Sequence, residues 1–309
     1  MRIEQLTFTR FIAASLIVIF HYSVDIFPFN LSKQMFLGAN VGVSYFFVLS
    51  GFVMIIAYHK KPKISVINYL KNRFARIYPI YLLASLILIA YYLLATNVAI
   101  NSTEVFLNVF MVQSWIPGYA LTLNFPGWSL SVELFIYITF PILFNYFYKK
   151  FDYKKLIIPI LIFFVVSQVA FILLFYSDYN QGMHTASHEQ IFYFPLMHLN
   201  EFLLGNLAGL YFINKKSFNQ KNNAIPIILL IIFTGVLLTY TDAIIYHNGI
   251  LALVFIPLIL LISSDNSWIY KISTHKLMIH LGEISYGVYI LQIPIMSISR
   301  RAIMYLGVT

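Results

Sequence analysis

Arg10 and His21 stand eleven residues apart in the first apolar segment of the chain, within Thr9-Arg10-Phe11 and Phe20-His21-Tyr22. Eleven helical steps turn through about 1100°, three turns and roughly 20°, so both side chains leave one face about 16 Å apart along the axis. A charge at the centre of a membrane helix costs on the order of 2.5–3.5 kcal/mol, and an ionisable group retained there is first read as functional. Further along, Gly127-Trp128-Ser129-Leu130-Ser131-Val132-Glu133 opens another apolar segment with an acid one turn inside it. An imidazole beside a carboxylate makes a hydroxyl nucleophilic: the histidine takes the proton and the carboxylate stabilises the imidazolium. Counted inward from Trp128 at the far face, Glu133 lies about 7 Å deep, close to the depth expected of His21. The plain alternatives are a histidine satisfied by neighbouring backbone or hydroxyls, and a structural acid paired with a donor on the first two apolar segments.

Arg73 and Arg76, in Lys71-Asn72-Arg73-Phe74-Ala75-Arg76-Ile77-Tyr78-Pro79, carry a second kind of chemistry. Arginines at i and i+3 put two guanidinium forks on one helix face, a geometry suited to phosphate oxygens. Coenzyme A offers such oxygens on its diphosphate and ribose phosphate; the competing reading is contact with lipid headgroups.

The elements that must hold these residues are membrane helices. The chain has 309 residues, of which 60% are hydrophobic and 10% charged, with a mean hydropathy of +0.81. No soluble core of this size needs so much apolar surface. Runs of roughly 17–25 apolar residues predict nine spans: 8–27, 41–58, 78–97, 128–148, 156–176, 194–213, 224–241, 247–264 and 279–298. The apolar stretch Glu104–Val112 is too short to cross and reads as re-entrant or interfacial. With the amino terminus inside, seventeen of the 20 Lys and Arg residues fall on the inner side, leaving Lys33, Arg300 and Arg301 outside. The net charge of +9 is therefore an orientation signal, and nucleic acid is not the expected partner. The fold expected is an all-α polytopic membrane helix bundle, residues 1–309 forming a single integral-membrane domain.

The motifs then fall into an order. After Arg10 and His21 come Phe46-Phe47-Val48-Leu49-Ser50-Gly51-Phe52, the Arg73/Arg76 pair, Trp128-Ser129-Leu130-Ser131-Val132-Glu133, Asn200-Glu201-Phe202-Leu203-Leu204-Gly205, and Gly282-Glu283-Ile284-Ser285-Tyr286-Gly287-Val288-Tyr289. Taken together over nearly the whole chain, they resemble the acyltransferase-3 family of integral-membrane O-acyltransferases. That resemblance implies ten helices, one more than the nine read here, so a tenth span is expected after Thr309. It also implies transfer of an acyl group, commonly acetyl from acetyl-CoA, to a hydroxyl of a surface glycan or its lipid-linked precursor. The setting implied is a bacterial cytoplasmic membrane, spanned several times. His21 maps to the family's essential histidine and Arg10 to its paired arginine. Ser44 stands where many members carry an acid, His198 where a basic residue often precedes the Glu-Phe-Leu-Leu-Gly run, and Gln292 where a histidine is frequent.

The site expected is thus His21 and Glu133 for catalysis, with Arg10, Arg73 and Arg76 for the donor. Trp128, Ser131 and Glu201 are candidates to line the acceptor site, although Glu201, like Glu283, reads first as a packing or gating residue. Acyl-CoA is expected as a substrate, with no permanently bound cofactor. No metal is expected: His184 and His188 have i, i+4 spacing but no evident third ligand, and zinc generally takes three or four. The chain has no cysteine, which excludes thiolate chemistry and disulfides. It also has no Gly-rich phosphate loop and no Gly-x-Ser-x-Gly elbow. The competing function is a proton-coupled exporter of a polysaccharide or lipid-linked sugar, since buried Arg, His and Glu serve transport as well. Against it, no second copy of either motif appears in the latter half.

Overall fold

In chain order, the computed structural model has helices α1 (Gln5–Tyr22), α2 (Lys33–Leu37), α3 (Gly42–Tyr58), α4 (Val66–Ala95), α5 (Ser102–Val109), α6 (Trp128–Leu143) and α7 (Tyr153–Phe175). They are followed by α8 (Ala186–Tyr193), α9 (Leu199–Asn214), α10 (Ala224–Leu237), α11 (Ala252–Ser263), α12 (Trp268–Ser273) and α13 (Lys276–Tyr305). The structure describes residues 3–96, 99–215, 220–240 and 245–307; Arg2 and Lys216 of the inner-side count lie outside them. The fold is all-α, a polytopic helix bundle with no strand among the described residues.

Each of the nine expected spans contains a helix. Six segments are long and apolar enough to cross a membrane: 5–22, 39–58, 66–95, 125–148, 153–175 and 276–305. The other three fall short. Helix α9 has 16 residues, and α10 with its terminal turn ends at Tyr240. Helix α11 has only 12 residues, because Asn248 and Gly249 take positive φ angles of 68° and 96° and end regular structure where the span was expected to begin. The third helix instead begins twelve residues earlier than expected, at Val66 rather than 78. Nothing in Val66–Tyr78 breaks a helix, so the basic run continues the span and Arg73 and Arg76 are intrahelical. Pro79 inside α4 removes only one backbone donor.

The chain packs as two compact units interleaved along the sequence. The first comprises residues 1–64, 144–171 and 198–286. Its centre is the pair α3 and α9, which run parallel: Ser44 meets Glu201, Val48 meets Gly205, and Ile55 meets Gly209. A β-carbon at Gly205 would lie 2.1 Å from the Val48 carbonyl oxygen, and one at Gly51 would lie 2.3 Å from that of Phe202. The two backbones therefore touch, as small-residue contacts allow between membrane helices. Helix α1 crosses the start of α3, with the Tyr45 hydroxyl donating to Thr9 Oγ1 at 2.6 Å. Near the start of α1, whose Gln5 donates to Ile262 O at 3.2 Å, the buried Asp265 carboxylate accepts the backbone N–H groups of Asn223 (2.9 Å), Ser267 (3.2 Å) and Tyr270 (3.1 Å). It thereby joins the chain just before α10 to the chain just after α11.

The second unit comprises residues 65–143, 172–197 and 287–309. Here the segment after α4 turns back along it. Tyr78 and Tyr81 of α4 donate to the carbonyls of Val109 and Asn108 at 3.1 and 2.8 Å. Gln113 donates to Gly127 O at 2.9 Å and to the Tyr81 hydroxyl at 3.3 Å. Asn108 and Gln113 are fully buried, and the Gln113 Nε2 bonds satisfy a donor that water cannot reach. The short apolar stretch seen in the sequence thus packs back on α4 through α5, and α6 begins beside Tyr81, midway along the 30-residue α4.

Candidate active site

Arg10 and His21 lie on one unbroken helix, α1, as their spacing requires. Both side chains are half-buried. Arg10 follows Thr9, which holds the Tyr45 hydroxyl, and its charge acts on that phenol. His21 occupies the last turn of α1, packed between the rings of Phe20 (centroids 4.9 Å apart) and Tyr22 (6.0 Å). Residues 23–27, expected to prolong this span, leave the helix at Ser23, whose N–H bonds Ile19 O. The described residues of the first α1–α3 connection then form short helices, of which α2 packs against α1.

Glu133, Arg73 and Arg76 belong to the second unit. Trp128 starts beside the middle of α4, where Gly127 meets Tyr81, and Glu133 lies nearer the basic first half of that helix. There the Tyr137 hydroxyl donates to Glu133 Oε1. The Arg73 guanidinium stands 5.6 Å over the Tyr137 ring and 5.4 Å over that of Tyr69. The structure therefore brings together an acid and a cation that the sequence reading had placed at opposite ends of the reaction. It separates Arg73 from Arg76, however: Arg73 is half-buried on aromatic rings, whereas Arg76 is exposed.

Trp128 is buried, tilted on Tyr193 with ring centroids 4.8 Å apart, and its carbonyl accepts from Ser114 Oγ at 3.1 Å. Ser131 is fully buried, and its Oγ has no hydrogen-bond partner among the described residues. Its hydroxyl suits an ordered water or a bound hydroxyl group. Glu201 differs. It is fully buried in the first unit, with Ser44 Oγ donating to Oε1 and His198 Nδ1 2.9 Å from Oε2. Both carboxylate oxygens are engaged within the protein, which fits the packing role rather than contact with an acceptor. The His198 ring rests on Phe47 (5.2 Å) and His247 (5.3 Å). Sequence reasoning missed this cluster, although His198 and Glu201 at i, i+3 were a signal.

His188 stacks on Phe192 at 4.1 Å and faces Asn180, while Glu189 accepts the Ala120 N–H at 3.0 Å. Burial, then the charge of His184, push the His188 imidazole below its ordinary value. Burial raises Glu189 against the opposing pull of Ala120 N–H and His184. No group of three metal-ligating side chains exists among the described residues.

A family model described as an acyltransferase domain matches residues 3–309. The chain belongs to the acyltransferase-3 family. It is 38% identical over 109 residues to the acyltransferase MdmB of Streptomyces mycarofaciens, covering 33% of this chain and 28% of that protein. It is 23% identical over 298 residues to the O-acetyltransferase OatA of Staphylococcus aureus, covering 88% of this chain and 48% of that protein. A Haemophilus influenzae protein described as uncharacterized is 27% identical over 245 residues, 72% of this chain and 98% of that one. The chain thus spans about half the length of OatA and less of MdmB. No solved structure matches. With its six long apolar helices, this member of the family is a multi-pass membrane protein.

Proposed function

We propose that this chain is a membrane O-acyltransferase that moves an acyl group, acetyl in the simplest case, from cytosolic acyl-CoA to a hydroxyl of a surface glycan or lipid-linked saccharide. The observation that carries the reading is α1 of an acyltransferase-family chain, which presents Arg10 and His21 from one unbroken helix. The setting proposed is a bacterial cytoplasmic membrane with the amino terminus inside, supported by the distribution of basic residues.

In the reaction proposed, His21 accepts the proton of the acceptor hydroxyl as its oxygen attacks the thioester carbonyl. The C–S bond breaks, and the imidazolium returns the proton to the departing thiolate. The negative end of the α1 dipole lies beside His21 and stabilises the imidazolium while it lasts. An acyl-histidine intermediate is the two-step variant of the same chemistry. In the second unit, Arg73 holds the donor with Glu133 as the carboxylate beside it, and Arg76 draws the donor phosphates in; in the first, Arg10 is the donor contact on the helix of His21. Ser131 and Trp128 line the acceptor side.

Labelled acetyl-CoA supplied to the cytosolic face of membrane vesicles should place label on the host glycan. No label with glycan present, together with glycan movement driven by a proton gradient, would favour the exporter instead. The two arginines should differ. Arg73→Gln is expected to raise the acetyl-CoA KM about tenfold, the loss of a charge-assisted contact, and exposed Arg76→Gln only about twofold. An unchanged KM in Arg73→Gln removes that residue from the donor site.

A further inference from the structure

We infer that Tyr137 is a positioning residue that sets Glu133 and Arg73 in one register, so that donor binding and the acid are adjusted by a single side chain. The inference rests on the acyl-CoA reading and assigns Tyr137 a part in it that neither motif contains.

Tyr137 is buried and contacts both groups in different ways. Its hydroxyl donates to Glu133 one helical turn earlier on α6. Its ring lies beneath the Arg73 guanidinium. Tyr69, also buried, supplies a second face to the same guanidinium and meets Tyr137 edge-on, with an interplanar angle of 89° and centroids 6.5 Å apart. Tyr69 is in turn backed by Phe140, 5.8 Å away. Two rings set at right angles define where the guanidinium sits more narrowly than one ring would. An aromatic face attracts a cation at the plane of the ring, so two such faces orient the planar guanidinium fork. The hydroxyl of one of those rings fixes the carboxylate. A displacement of Tyr137 therefore moves acid and cation together, the kind of coupling expected of a supporting group in a preorganised site.

The two functions of Tyr137 can be removed one at a time. Tyr137→Phe keeps the ring under Arg73 and deletes the hydroxyl at Glu133. Tyr137→Leu deletes both. With acetyl-CoA as donor and activity normalised to correctly sized protein in detergent, Tyr137→Phe should lower kcat about tenfold and leave the donor KM and equilibrium coenzyme A binding within about twofold. Tyr137→Leu should lower kcat to the same extent and also raise the donor KM and weaken coenzyme A binding about tenfold. If Tyr137 only fills space, both variants reduce the yield of folded protein while the surviving molecules keep wild-type kcat and KM, and that result overturns the inference. So does a Tyr137→Phe variant with wild-type kcat. Wild-type protein that neither binds coenzyme A nor transfers from acetyl-CoA defeats the donor reading itself, a failure visible before any variant is made.

Discussion

Replacing His21 with alanine is expected to lower acyl transfer by about 10²–10⁴-fold, the range associated with losing a positioned acid–base group, while leaving the amount of protein in the membrane unchanged. The second half of that expectation follows from the packing of α1. The buried residues of this helix are Gln5, Leu6, Ala13, Ala14 and Ile17, none of them in its last turn. His21 is half-buried beside two aromatic rings at that end; an alanine there removes an imidazole and little packing. Glycan labelling from acetyl-CoA, compared at matched protein levels, checks the prediction. Equal labelling by both proteins would leave the enzyme class standing and displace the active site from α1. A trapped acyl-enzyme in the absence of acceptor, lost in His21→Ala, would select the two-step course over direct transfer.

The largest structural effect is expected at Gly205. Ordinary overpacking costs about 1–3 kcal/mol because side chains can yield. At Gly205 the obstacle is the Val48 carbonyl, backbone on a facing helix, 2.1 Å from where a β-carbon would stand. Gly205→Ala should therefore cost about 3 kcal/mol or more, and Gly205→Leu should yield no folded protein. Gly287 on α13 is the control: a β-carbon there meets nothing within 4 Å, so Gly287→Ala should be neutral or add about 0.5–1 kcal/mol. The thermal aggregation midpoint in detergent reads both. A Gly205→Ala midpoint equal to wild type would mean that α3 and α9 do not touch as described.

Periodicity and length made the helices legible, but only for segments that obey one rule at a time. α3, α6 and α7 are predominantly apolar along their length and were readable by it. α4 was placed too late because its first three turns are basic, and hydropathy cannot distinguish a polar helical turn from a loop. The start of α6 was not legible either: Gly127 stands against Tyr81 in the middle of α4, a contact that hydropathy does not signal. Of the candidate site, the Arg10–His21 geometry was legible because it is local to one helix. The i, i+4 spacing of Glu133 and Tyr137 was equally local and was overlooked. The approach of Arg73 to Tyr137 was not legible, nor was that of Ser44 to Glu201, 157 positions away, because helix packing brings together residues that no spacing relates.

Asp265 has a consequence for how this chain can vary. Its carboxylate holds Asn223 across 42 positions of sequence, closing the α10–α11 hairpin at the base much as a clasp closes a bracelet. The entropy of closing such a loop grows only logarithmically with its length, so residues added or removed between the clasped points cost little by themselves. Chimaeras joined at 223 and 265 should preserve the closure, while joints inside the 265–270 turn break it. The two short helices can thus be exchanged between related chains as one cassette, provided that the replacement still covers the faces of α3 and α9.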